Sequence, residues 1–120
     1  MRAAGLKAID TVVDSTAVLI ASKRPSDQKL VNLIEARIQG VITAQKYVLC
    51  TYNAPRTLLP KCRQITPGRR APTVNGLDDE GWVAVQAMVE RGKIATVMDE
   101  LIDVGATDIM VTKLENTRTM

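Results

Sequence analysis

The stretch Trp82-Val83-Ala84-Val85-Gln86-Ala87-Met88-Val89, followed by Lys93–Val104, Gly105 and Asp108–Leu114, decides the architecture. In its first part the aliphatic row Val83, Val85, Ala87 and Val89 recurs with period two, the signature of a strand with one buried face. In Lys93–Val104 the period changes: Ile94, Val97, Met98, Leu101 and Ile102 share one helical stripe, and Gly105 supplies the C-cap. Asp108–Leu114 returns to strand.

Working back from Trp82, Asp78-Asp79-Glu80-Gly81 is a turn and Thr73–Leu77 a second strand. Thr66-Pro67-Gly68 closes a short helix from Thr57 to about Ile65 that buries Leu58, Leu59, Cys62 and Ile65. With Thr57 as N-cap, Pro60 falls at the third helical position, where no hydrogen bond is lost. Tyr47–Tyr52 is the first strand. The order βαββαβ predicts an α+β, ferredoxin-like domain: two helices on one face of a four-stranded antiparallel sheet, the other face open.

Strand parity assigns the faces. Val83, Val85, Ala87 and Val89 go under the helices with Val48, Cys50, Ile109 and Val111. The open row is Trp82, Ala84, Gln86 and Met88, beside Tyr47, Leu49, Thr51, Asp108, Met110 and Thr112. Its mixture of Trp, Met and Leu with Asp, Gln and Thr suits an interface with a protein or a ligand.

Upstream, Ser26 or Asp27 caps a helix running to about Lys46. Leu30, Leu33, Ile34, Ile38, Val41, Ile42 and Gln45 form one stripe along it, with Gly40 a mild weak point. Leu6–Val13 and Thr16–Ser22 read as extended chain, the second apolar on both faces as a central strand would be. The expected organisation is therefore residues 1–24, a connecting helix over 25–46, and the ferredoxin-like domain over 47–120.

Composition narrows the chemistry. The chain has 120 residues, 46% of them apolar, and a formal net charge of +3, enough for one core. Histidine is absent, which removes Ser-His-Asp and Cys-His catalysis, His-ligated zinc and imidazole pH switches together. The two cysteines, Cys50 and Cys62, form neither a disulfide framework nor a CxxC site and suit a reducing cytoplasm. No apolar run approaches the ~18 residues of a helical membrane span, and Met1–Lys7 lacks the apolar core of a signal peptide. Residues 54–77 carry Arg56, Lys61, Arg63, Arg69 and Arg70 without an acid, while residues 78–108 carry eight acids against Arg91 and Lys93. The basic run could touch phosphate, but the central strands lack the aromatic residues an RNA-recognition sheet uses. Asp78-Asp79-Glu80 has no spaced partner acids and reads as a solvated loop rather than a metal site. Gly5, Gly68 and Gly76 are isolated and build no phosphate loop. The residues describe a binding or interaction module, not a self-contained enzyme.

Several segments are more specific. Arg37-Ile38-Gln39-Gly40-Val41-Ile42, Lys46-Tyr47-Val48, Tyr52-Asn53-Ala54-Pro55-Arg56, Ile65-Thr66-Pro67-Gly68, Ala71-Pro72-Thr73, Leu77-Asp78-Asp79-Glu80-Gly81-Trp82-Val83-Ala84-Val85, Met98-Asp99-Glu100-Leu101 and Val104-Gly105-Ala106 resemble, in order, the C-terminal part of the long-form ATP phosphoribosyltransferase family. That family catalyses the first step of histidine biosynthesis, a glycosyl transfer between ATP and phosphoribosyl pyrophosphate that needs Mg²⁺. The resemblance implies that residues 1 to about 24 are a two-strand remnant of the catalytic region and that the domain from about residue 46 is regulatory and PII-like. Met1–Leu6 is similar to the tail of the phosphoribosyl pyrophosphate loop, whose Ser-Gly-Thr-Thr portion would lie before Met1, so this chain alone is expected to be inactive. The same resemblance implies histidine as feedback inhibitor, bound between subunits by Asn53, Thr73, Met88 and Asp108 with the backbone around Arg69 and Ala71. Asn53 stands where the family carries an acid suited to the ligand ammonium; the amide keeps the hydrogen bond without the charge. Implied partners are further copies of the chain, or a chain carrying the rest of the catalytic region, with no nucleic acid and no membrane. An oligomerisation module without ligand sensing and a nucleic-acid-binding ferredoxin-like domain are the alternatives.

Overall fold

In the computed structural model, which describes residues 10, 15–24 and 26–119, three helices accompany one four-stranded antiparallel sheet. The chain runs α1 (Gln28–Lys46), β1 (Tyr47–Pro55), α2 (Leu59–Ile65), β2 (Thr73–Gly76), β3 (Trp82–Glu90), α3 (Ile94–Val104) and β4 (Thr107–Lys113). The strand order β2-β3-β1-β4 is that of a ferredoxin-like domain, with β1 and β3 central.

Burial along β1 and β3 alternates residue by residue, as the parity predicts. Val48, Cys50, Tyr52, Ala54, Val83, Val85 and Val89 form the core with Leu59 and Cys62 of α2 and Val97 and Leu101 of α3. Gly105 ends α3 at φ 108°, a conformation that glycine adopts without a Cβ penalty, and its amide reaches the last carbonyls of the helix.

Four expectations change. Thr57 is not the cap of α2: the chain leaves β1 through a 3-10 turn at Arg56–Leu58, no side chain caps the helix, and Pro60 lies in its first turn. The missing proline N–H costs nothing there. The stripe on α3 is narrower than its sequence, since Ile102 lies on its flank and is 62% exposed. Val111 points to the helix side but sits on the edge strand β4 and is 40% exposed. Thr16–Ser22 forms no strand, because β1 is already flanked by β3 and β4 and neither edge of the sheet pairs with it. Leu6–Val13 lies outside the described residues except for Asp10.

The connecting helix begins where its sequence predicts: Asp27 is the N-cap and its carboxylate accepts from the Leu30 amide at 3.1 Å. Its stripe, however, faces outward. Leu30, Leu33, Ile34, Ile38, Val41 and Ile42 are all at least 40% exposed, and only Gly40 and Ala44 are buried. Gly40 is not a weak point but a crossing point. The segment after β4 passes over it, the Thr117 amide donates to the Gly40 carbonyl at 3.1 Å, and a Cβ at this position would collide with the Asn116 side chain and approach the Thr117 carbonyl to 3.0 Å.

Replacing glycine by alanine inside a helix ordinarily gains about 1 kcal/mol. Gly40→Ala should not show that gain, because the terminal segment must lift away and the Thr117 bond must break. Faster hydrogen exchange at the Thr117 amide is the expected signature. An unchanged Thr117 rate with the full helix gain would mean that the crossing does not exist in solution.

Candidate functional site

The open face of the sheet carries the candidate residues, and it splits them into two groups. The first group sits where β4 joins β1. Thr51 pairs with Met110 and Asn53 with Thr107, so β4 spends one residue more than β1 over this interval, a β-bulge. Asp108 occupies the bulge at φ 53°, a left-handed conformation that short polar residues tolerate best. The bulge turns its carboxylate towards β1, where one oxygen, Oδ2, accepts from the Asn53 amide at 3.3 Å and from the Thr107 hydroxyl at 3.2 Å. Oδ1 of Asp108 and the side-chain oxygen of Asn53 have no partner among the described residues. Two acceptors side by side, one of them charged, suit a donor cation such as an ammonium group.

The second group lies at the opposite end of the strands. Met88 faces Leu49 whereas Asn53 faces Ala84, so four strand residues, about 13 Å, separate Met88 from Asn53. Met88 lines a cavity of about 480 Å³ with Arg69 and Tyr47. Thr73 pairs with Gln86 on the edge strand between the two groups, and Ala71 is exposed in the loop before it. Within one chain the structure thus brings Asn53 to Asp108 and Arg69 to Met88, and does not bring all six residues together.

Two features escaped the sequence reading. Arg69 lies with its guanidinium carbon 5.5 Å from the centroid of the Tyr47 ring and donates to the Tyr47 hydroxyl at 3.3 Å. Alternation places Tyr47 on the open face, but no local signal places a loop arginine over it.

The other feature is Tyr52, wholly buried on the helix side. Its hydroxyl is 2.7 Å from the Thr66 hydroxyl, which donates to the Cys62 carbonyl at 3.0 Å, so the tyrosine is the donor of the pair. Burial pushes the Tyr52 pKa up to about 12, and burial likewise raises both the Cys50 and Cys62 thiols. Each group is neutral when protonated, so a raised folded-state value favours the fold at neutral pH and the advantage disappears in alkali. The tyrosine contribution is complete below pH ~10 and is lost towards pH ~12, roughly 2–3 kcal/mol over that window. The melting temperature should fall steeply there, and less steeply in Tyr52→Phe, with the cysteines accounting for the remainder. Parallel declines in the two proteins would contradict the burial of this hydroxyl.

Among the described residues no group of three or more Cys, Asp or Glu side chains is placed to hold a metal ion. Asp78, Asp79 and Glu80 are exposed in the turn before β3. The Mg²⁺ implied by the resemblance therefore finds no fitting ligand set in these residues. No helix among them is long and apolar enough to cross a membrane.

Residues 44–116 match the family model of the HisG C-terminal domain. The chain belongs to that family. It is 58% identical over 118 residues to the ATP phosphoribosyltransferase of Yarrowia lipolytica, 55% over 119 residues to that of Saccharomyces cerevisiae, and 48% over 120 residues to that of Schizosaccharomyces pombe. Each match covers 98% of this chain and about 40% of the relative. In this HisG C-terminal domain the matched segment takes in the whole sheet and its two covering helices, while α1 up to Thr43 precedes it.

Proposed function

We propose that this chain is the regulatory segment of an ATP phosphoribosyltransferase in histidine biosynthesis, binding free histidine as feedback inhibitor and mediating assembly in the cytoplasm. The observation that carries the reading is the Asn53–Asp108 pair on the open face of a HisG C-terminal domain. Its free oxygens match the ammonium of an amino acid. Met88, Thr73 and the backbone near Arg69 and Ala71 lie on the same side of the sheet but too far away to close a pocket in one chain. A site completed by a second copy accounts for that separation. The half-buried Trp82, Met88 and Leu49, with exposed Met110, give such a contact its apolar area.

The outward stripe of α1, with exposed Leu19 and Ile20 beside it, supports a further part of the reading. These residues are conspicuously apolar for a solvated surface. Their natural cover is the polypeptide that makes up the remaining ~60% of the relatives' length, the catalytic region that handles ATP and phosphoribosyl pyrophosphate. On this reading residues 1–24 and the connecting helix over 25–46 serve that region, and residues 47–120 form the regulatory domain.

Calorimetric titration with free histidine tests the proposal. Saturable binding is expected, accompanied by a larger sedimentation coefficient. Self-association without any histidine heat would favour the alternative of an oligomerisation module that senses no ligand.

A further inference from the structure

The cavity at the start of β1 and the end of β3 has a composition that the Asn53–Asp108 pair does not use. Its volume is about 480 Å³, within the range of small-molecule sites. Ile65, Val89, Val97 and Met88 give it an apolar floor. Three charged side chains stand around it. Lys93 and Glu90 neutralise each other across 3.4 Å, which leaves Arg69 as the uncompensated charge.

Arg69 is also held in place. The Tyr47 ring lies under its guanidinium and the Tyr47 hydroxyl takes one N–H, yet no carboxylate pairs with it among the described residues. A free arginine loses side-chain entropy when it grips an anion. One already laid on an aromatic ring loses less, and its planar fork keeps N–H donors for a two-point contact.

We propose that this cavity is an anion site in which Arg69 grips the head group of a small molecule, a carboxylate or a phosphate monoester. The apolar floor takes a compact planar or aliphatic body. The cavity lies within one chain; it shares Met88 and the loop of Arg69 with the residues proposed for histidine, but its anion contact, the Arg69 guanidinium, is a group that reading does not use.

The test uses the full chain, isotope-labelled for NMR, with benzoate and phenyl phosphate as probes and benzamide as the uncharged control. Both anions should give saturable shifts at Gly68, Arg69, Met88 and Glu90, and benzamide should not. Tighter binding of phenyl phosphate assigns the site to phosphate monoesters; tighter binding of benzoate assigns it to carboxylates. Arg69→Ala should weaken the preferred anion roughly tenfold or more, and Arg69→Lys should fall between, since a lysine keeps the charge but not the fork. Because Arg69 is an exposed loop residue, both variants are expected to fold. Absence of saturable shifts with either anion, equal binding of benzamide, or undiminished binding by Arg69→Ala would each overturn the proposal. Failure of histidine to bind in a separate titration would bear on Asn53 and Asp108 and leave these outcomes as they stand.

Discussion

Leu101→Ala should lower the stability of the domain by about 2–5 kcal/mol, while Ile102→Ala, one residue along the same helix, should change it by no more than about 0.5 kcal/mol. Leu101 is 0% exposed and sits among the β1 and β3 core residues, so truncation leaves a cavity as well as losing apolar burial. Ile102 is 62% exposed and has little burial to lose. For a domain of this size the Leu101 change corresponds to a drop in melting temperature of roughly 10–30 °C. Thermal unfolding followed by circular dichroism reads both variants. Equal effects at the two positions would mean that α3 packs on the sheet through a different face from the one described here.

The contrast between Leu101 and Ile102 also marks where sequence reasoning reaches its limit. Periodicity identified the helix and its apolar side, because a 3.6-residue repeat is a property of neighbouring residues alone. It could not say how wide a strip the sheet covers, because that depends on where β4 ends up. The two central strands were legible for the same reason, their alternation being local. The bulge at Asp108 was not: an extra residue in one strand exists only relative to its partner, and no residue in Thr107–Lys113 announces it. Gly40 shows the reverse case. Inside a helix a glycine reads as a cost, and only the fold reveals the Asn116–Thr117 segment that crosses it. Among the candidate site residues, parity placed Met88 and Asp108 on one face correctly. Their separation along that face follows from register, which parity does not contain.

Asn53→Asp carries the largest expected effect on ligand binding. At present the Asn53 amide donates to Asp108 Oδ2, which satisfies one carboxylate oxygen and leaves the site with a single negative charge. An aspartate at position 53 removes that donor and sets two carboxylates against each other across a similar distance. The unliganded protein should lose a little stability from the repulsion between the two like charges. An ammonium group arriving between them is attracted by both charges and relieves the strain, so free histidine should bind more tightly by about 1–3 kcal/mol, roughly a factor of 5 to 150. Destabilisation without ligand and tighter binding with it come from the same pair of oxygens, and they should appear together.

The measurement that bears most directly on regulation by histidine is therefore a pair of calorimetric titrations at pH 7, one with the chain as it stands and one with Asn53→Asp. Saturable histidine binding to both, tighter in the variant, is the predicted result. No histidine binding by either protein, or equal or weaker binding by the variant, would contradict it.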